Sequence, residues 1–362
     1  MKILLIALLL AVGLAGHSFG DTYYAEGDWV VQLGHGTEPG IDRDLKGIAK
    51  IDGYKLWTVG TKGAVLYTAD GGWNWQEKTD IANQADYDFM DVCFTGTLNG
   101  WIVGYKNTGA DKYSGIVLKT TDGGSTWRTE WSATYPFLSI KMTVSGTTYR
   151  GYIGCGDGVV LKYNGTTWEK TPKRPSPNAD SLSIWYQGLW VNPANSSQII
   201  VSGDNSCMIS KSSDGGVNWQ ICNDPVNTVQ FDRTYSFPAN TNTPLGTRLA
   251  NFKVSAVDLN NMSVALSDGK VAYTTDGGTT WQLTANSATF PASQWYYDVV
   301  GNQGVGSDGS INWGYHNFDD PSYNLRDIAG QWAVGDSCRI MRNHNAIIEG
   351  ETYDISALTI KG

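Results

Sequence analysis

The chain has 362 residues, of which 43 are glycine and 15 tryptophan, and only 17% are charged. An apolar content of 41% argues against a disordered chain. That much glycine argues against a helical bundle, because glycine costs about 1 kcal/mol per helical site. A formal charge of −9 argues against a nucleic-acid partner, which needs clustered Lys and Arg. What remains is an acidic protein of short strands and tight turns.

In chain order, Lys2 precedes an apolar run over residues 3–14, and small residues follow to Ser18-Phe19-Gly20. This pattern reads as a secretory signal peptide over 1–20, cleaved before Asp21. The run is shorter than the roughly 20 apolar residues of a spanning helix. No cysteine opens the mature chain, so no lipid anchor is expected. The expected product is one secreted or periplasmic domain, 21–362, without direct membrane insertion.

The mature chain repeats itself. Thr68-Ala69-Asp70-Gly71-Gly72-Trp73-Asn74-Trp75 recurs as Thr120-Thr121-Asp122-Gly123-Gly124-Ser125-Thr126-Trp127, then from Ser212 through Asp214 to Trp219, then from Thr274 through Asp276 to Trp281. A degraded copy ends at Trp168. The closing tryptophans are 52, 41, 51 and 62 residues apart. This is the Asp-box pattern, S/T-x-D-x-G-x-x-W. Upstream of each box stands an apolar strand ending in glycine, such as Leu56-Trp57-Thr58-Val59-Gly60, and seven such strands run to Trp332-Ala333-Val334-Gly335. Their spacing of about 46 residues is that of a four-stranded propeller blade. The expected fold is therefore all-β, a seven-bladed β-propeller of four-stranded antiparallel blades with the boxes on the C–D turns. Six or eight blades are the alternatives. Blades are expected to start near 46, 89, 137, 184, 250, 295 and 325, and the strand 28–33 to close the ring and remove exposed edges.

An exported chain can hold disulfides. Cys207 and Cys222 flank the turn Asp214-Gly215-Gly216 almost symmetrically, which places a cross-strand disulfide beside the alternative of two buried thiols.

The boxes themselves read as scaffold. The carboxylates of Asp70, Asp122, Asp214 and Asp276 are suited to accept turn amides, while Trp75, Trp127, Trp219 and Trp281 cover the hairpins. The four aspartates belong to different blades and cannot converge on one ligand. Loop lengths point to the working face instead. A–B connections are short, as at 52–53, 97–99 and 260–261, whereas 105–115, 79–87, 171–183, 223–249, 285–294 and 315–323 are long and share the B–C and D–A face. That face carries the candidate binding residues Tyr105, Arg174, Arg233, Arg248, Trp295 and Arg326. Arg and Tyr suit interface hot spots, and aromatic rings also stack on sugars.

Catalytic motifs are sparse. No zinc-ligand spacing, G-x-S-x-G elbow or phosphate loop occurs, and no metal or cofactor is expected. Glycoside hydrolysis needs only two facing carboxylates. Asp88, Asp91, Asp298 and Asp327, near the starts of inner strands, are the candidates, with Asp88, Asp298 and Asp327 as the alternative catalytic set.

The repeat running from Gly100-Trp101-Ile102-Val103-Gly104 to Thr120 and Trp127 resembles that of the photosystem II stability/assembly factor family, over about residues 45–345. The Arg-Ile-Pro signature of sialidases is missing. The resemblance implies a non-catalytic propeller that binds a protein partner through an arginine-rich face, for which Arg174, Arg233, Arg248 and Arg326 are the candidates. The usual lipid-anchor cysteine of that family is absent here. A carbohydrate-active hydrolase or glycan-binding propeller is the alternative.

Overall fold

A five-residue apolar run can be buried on both faces only where something packs on each side of its sheet. Leu56–Gly60 is such a run, buried at every position. The computed structural model describes residues 29–33, 43–72, 74–109, 112–175, 184–203, 208–222, 251–266, 271–283, 296–300, 303–306, 311–312, 325–329, 332–336 and 340–343.

After β1 (Trp29–Leu33), five four-stranded antiparallel sheets follow one another in sequence. The first is β2 (Leu45–Lys50), β3 (Leu56–Gly60), β4 (Val65–Thr68) and β5 (Gln76–Glu77). The second is β6 (Asp88–Phe94), β7 (Gly100–Gly109), β8 (Lys112–Thr120) and β9 (Arg128–Ala133). The third is β10 (Phe137–Ser145), β11 (Thr148–Cys155), β12 (Val160–Tyr163) and β13 (Trp168–Lys170). The fourth is β14 (Gly188–Val191), β15 (Ile199–Gly203), β16 (Met208–Ser212) and β17 (Gln220–Ile221). The fifth is β18 (Asn251–Ala256), β19 (Met262–Leu266), β20 (Val271–Thr274) and β21 (Gln282–Leu283). Two further sheets complete the described strands. One has three strands, β22 (Tyr296–Val300), β23 (Gln303–Gly306) and β24 (Ile311–Asn312). The other orders β25 (Leu325–Ala329), β26 (Trp332–Gly335) and β27 (Ile340–Asn343) with β1 on its outer edge, pairing Trp29 with Asn343. The first strand of each sheet touches that of the next, from β2 through β6, β10, β14, β18 and β22 to β25, and β25 touches β2.

The core lies in the seams between sheets. Trp101, Val103 and Val117 of the second sheet pack on Phe137, Ile140, Ile153 and Leu161 of the third. Each such side chain contributes about 2 kcal/mol of burial. Trp127, the closing residue of one box, lies edge-on to Trp57 of the preceding sheet, with ring centroids 5.6 Å apart.

The four boxes are wired alike. Thr68 Oγ1 donates to Asp70 Oδ1 at 2.7 Å and accepts from the Gly72 amide at 2.9 Å. Asp70 Oδ1 accepts from the Asn74 amide and Oδ2 from its side chain, at 2.9 and 2.7 Å. Asp122 with Thr126, Asp214 with Asn218 and Asp276 with Thr280 repeat the arrangement. The pair Gly71 and Gly72 has φ of 72° and 85°, a left-handed turn that costs glycine nothing. Trp127 and Trp281 are buried, Trp75 and Trp219 half-buried.

Three expectations need correction or qualification. Residues 105–109 and 112–115 are not a loop: the strands of β7 and β8 continue through them as a paired arm, with Tyr105 opposite Gly115 and Asn107 opposite Tyr113. The A–B face is not uniformly minimal either, since β10 and β11 extend as a hairpin to Ser145 and Thr148. Cys222 is a free, buried thiol whose amide bonds to Ile209 O at 2.9 Å, and its expected partner Cys207 lies outside the described residues. Cys222 faces Gly278 of the next box. Cys207, the signal peptide 1–20, the long segments 223–249, 285–294 and 315–323, and residues 176–183 of the segment 171–183 lie outside the described residues.

Two outcomes follow. Dithiothreitol leaves the melting temperature unchanged; a fall would show that a disulfide holds the fourth sheet. The box hydrogen bonds lower the Asp122, Asp214 and Asp276 carboxyls from the ordinary 3.8 to about 2, each bonded chiefly to Thr126, Asn218 and Thr280 in turn. Because the folded values are depressed, their contribution is complete above about pH 4 and is lost as pH falls toward 2. Thermal melts between pH 5 and pH 2 should therefore steepen in the wild type and flatten in the triple Asp→Asn variant.

Candidate functional site

The axis and the B–C/D–A face are both set by the first strand of each sheet. A register shift recurs near its start, between Phe89 and Asp91, Phe137 and Ser139, and Leu325 and Asp327. The bulge turns the third residue toward the neighbouring sheet. Asp91 Oδ2 accepts from the Ile140 amide at 2.9 Å, and Asp327 Oδ2 from the Ile48 amide at 2.7 Å. These carboxylates are 1% and 5% exposed. Each ties one sheet to the next. Asp327 also takes Lys253 at 3.1 Å, and Lys141 lies 3.7 Å from Asp91. Asp91 holds the Lys141 ammonium above its usual range. Lys141 keeps 46% of its side chain exposed.

The proposed catalytic carboxylates are thus placed differently from one another. Asp327 is committed to Ile48 and Lys253. Asp88 caps the amide of Lys62 at 2.9 Å, where Lys62 adopts φ 53°. Asp298 occupies the register position of Asp91 and Asp327, opposite Val305 as they are opposite Val103 and Val334.

On the loop face, the β7–β8 arm brings Tyr105 and Tyr113 together with Trp185, which precedes β14. The three half-buried rings meet edge to face, with centroids 5.5, 5.8 and 5.3 Å apart and interplanar angles of 87–90°. Burial, then Asp88, pushes the Tyr105 hydroxyl up to about 12, so it stays a donor at any physiological pH. Beside the rings, exposed Arg174 donates to Asp157 O at 2.8 Å, and the Asp157 loop is fastened to the same segment through Gly158 N to Ile184 O at 2.8 Å. Lys106 stands over the Tyr87 ring at 5.0 Å and 3.5 Å from Asp86. Lys106, next to Tyr105 in β7, and Arg174, bonded to the Asp157 loop, bring one lysine and one arginine to this part of the face.

Arg326 is placed elsewhere. Its guanidinium grips Asp336 through Nε and Nη2 at 2.7 and 2.9 Å, beside Lys46, at the junction of β25 and β26. Arg233, Arg248 and Trp295 lie outside the described residues. Tyr113 and Trp185 complete the cluster, and Trp185 was not singled out as a binding candidate. Tyr113 had its signal in the alternation of Lys112-Tyr113-Ser114, while nothing in the sequence marked Trp185 as its neighbour.

Residues 37–148, which span the first two sheets, the β7–β8 arm and part of the third sheet, match the model of the photosynthesis system II assembly factor YCF48. The chain resembles that family. Among solved structures, it is similar to YCF48 from Cyanidioschyzon merolae at 16% identity, over 87% of this chain and 98% of that one, with a TM-score of 0.59. It is also similar to YCF48 bound to D1 peptide, at 16% identity over 88% and 98% with a TM-score of 0.44. A third likeness is to a catalytically inactive virginiamycin B lyase from Staphylococcus aureus with quinupristin, at 11% identity over 87% and 98% with a TM-score of 0.52. No curated protein matches the chain significantly. Identities this low speak for the propeller fold, which hosts unrelated functions.

Asp327→Ala is expected to cost about 3 kcal/mol in denaturant unfolding, because it strands a buried amide and a lysine. Asp88→Ala, which frees one exposed amide, should cost about 1 kcal/mol or less. Equal losses would contradict the tie assigned to Asp327.

Proposed function

We propose that the protein is a secreted or periplasmic, non-catalytic binding module of the assembly-factor type, a ring of seven blades that holds a protein partner on its B–C/D–A face. The observation that carries this reading is the Tyr105–Tyr113–Trp185 cluster beside Arg174. Three rings fixed edge to face by a paired arm are already ordered, so a partner that covers them loses little side-chain freedom on binding. Tyr, Trp and Arg are the residue types that dominate interface energies. Support comes also from the family match, which runs through Tyr105 and Tyr113. The location rests on the segment 1–20, and the seven-blade count on the cyclic order of the first strands with β1 on the outer edge of the last sheet. Functional residues on a face of this kind are carried by loops and arms, and the sheets beneath keep them in place.

The test is capture of partners from the native envelope fraction with tagged wild type and with Tyr105→Ala/Trp185→Ala. The double variant should keep its fold by circular dichroism and lose the captured polypeptides by at least tenfold. An unchanged set of polypeptides would refute the face. If glycans were retained and polypeptides were not, the partner class would be wrong.

A further inference from the structure

Because the intact boxes are wired alike, a difference at the seam each forms with the preceding sheet is informative. In β12, Lys162 Nζ donates to Gly215 O of the next sheet's box at 3.4 Å. In β16, Lys211 Nζ donates to Gly277 O at 2.7 Å and to Leu259 O at 3.3 Å. The ammonium sits so close that a methyl group on Gly277 would lie 2.3 Å from it, and one on Gly215 would lie 2.9 Å from Lys162 Nζ. Two seams thus carry an ammonium at the mouth of the box.

At the seam between the first and second sheets, the corresponding residue is Tyr67. It is opposite Gln76 as Lys211 is opposite Gln220. Tyr67 does not cross the seam. Its hydroxyl donates to Gln76 Oε1 at 2.6 Å and its ring stacks on Trp57 at 4.8 Å. The acceptors, however, are in place. Gly123 N bonds Leu98 O at 2.9 Å as Gly277 N bonds Asn260 O at 3.0 Å, so Thr97 O stands where Leu259 O stands. A methyl group on Gly123 would meet only Thr97 O, at 3.0 Å, and no ammonium. The seam is open there: a cleft of about 320 Å³ is lined by Lys55, Trp57, Tyr67, Thr97, Asp122 and Gly123. That volume is in the range of small-ligand sites.

We propose that this cleft binds a primary ammonium group, seated on the Gly123 and Thr97 carbonyl oxygens as Lys162 and Lys211 place theirs at two other seams. An ammonium has three donors and no acceptor, which suits two carbonyl oxygens. Asp122 lines the same cleft and remains ionised to about pH 2, so its charge favours a cation there. Lys78 on the cleft wall is neutralised by Asp80 at 3.1 Å and donates to Ser125 O at 2.7 Å, and Lys55 is exposed at the mouth. Asp80, outside the lining, offsets Lys78, which leaves Lys55 at the mouth against Asp122. The ammonium belongs to a free amine or to a lysine side chain of a polypeptide.

Amide-resolved NMR titration of the full mature chain distinguishes these. The probes are n-butylammonium, N-acetyl-lysine methylamide and, as control, the same derivative acetylated on its side-chain nitrogen. Saturable shifts at Gly123, Thr97 and Leu98 are expected with the first two and not with the third. Tenfold tighter binding of the lysine derivative assigns the site to a polypeptide lysine; equal or tighter binding of n-butylammonium assigns it to a free amine. Tyr67→Lys should supply the ammonium internally, raise the melting temperature by about 2 °C and weaken probe binding at least tenfold. No saturable shift in the wild type, or undiminished binding by a folded Tyr67→Lys protein, overturns the proposal.

Discussion

Neighbouring sheets of this protein share no strand ladder among the described residues, so the ring depends on contacts that cross the seams, backbone bonds such as Gly63 N to Tyr87 O and Tyr186 N to Cys155 O among them. Side chains cross in two further ways. At the axis, the Asp91 and Asp327 carboxylates accept a backbone amide of the next sheet. Farther out, apolar layers such as that of Trp57, Val59, Phe89, Ile102 and Trp127 fill the space between sheets. The lysines Lys162 and Lys211 add a third crossing at the rim. Each crossing repeats because the blade repeats, and the stability of the whole is a sum of nearest-neighbour terms.

That arrangement separates holding from binding. The box side chains spend most of their hydrogen-bonding capacity on their own turns, and only the box at the seam of the first and second sheets is assigned a ligand. The B–C/D–A face is less constrained, and there the β7–β8 arm and the segment before β14 carry rings and cations that the scaffold does not require. At the Tyr67 seam the ammonium that crosses is that of Lys78, which donates to Ser125 O, and a cleft opens beside it.

Most of the fold was legible because the chain writes the same eight-residue turn four times, and one turn type at one spacing admits few architectures. The errors have physical causes. Lys106-Asn107-Thr108-Gly109 has loop composition, yet cross-strand pairing overrides weak propensity in a hairpin that is already anchored by Gly100 to Gly104. The cysteine pairing was not decided by spacing: Cys222 is a free, buried thiol whose amide bonds Ile209 O, and Cys207 lies outside the described residues. The axial aspartates resembled catalytic acids because a carboxylate near the start of an inner strand serves either purpose, and only the distance to Ile140 or Ile48 separates them. Of the proposed arginines, Arg174 stands beside the ring cluster while Arg326 is spent on Asp336, a partner ten positions away that spacing alone did not reveal.

The division of labour between the two faces is the centre of this account, and site-specific photo-cross-linking in the native envelope examines it directly. A benzophenone side chain at Tyr113 reports the loop face, and one at Val217, which is 43% exposed on a box turn, reports the opposite face. The account predicts a discrete polypeptide adduct from position 113 and none from position 217. An adduct from 217 with none from 113 would contradict it.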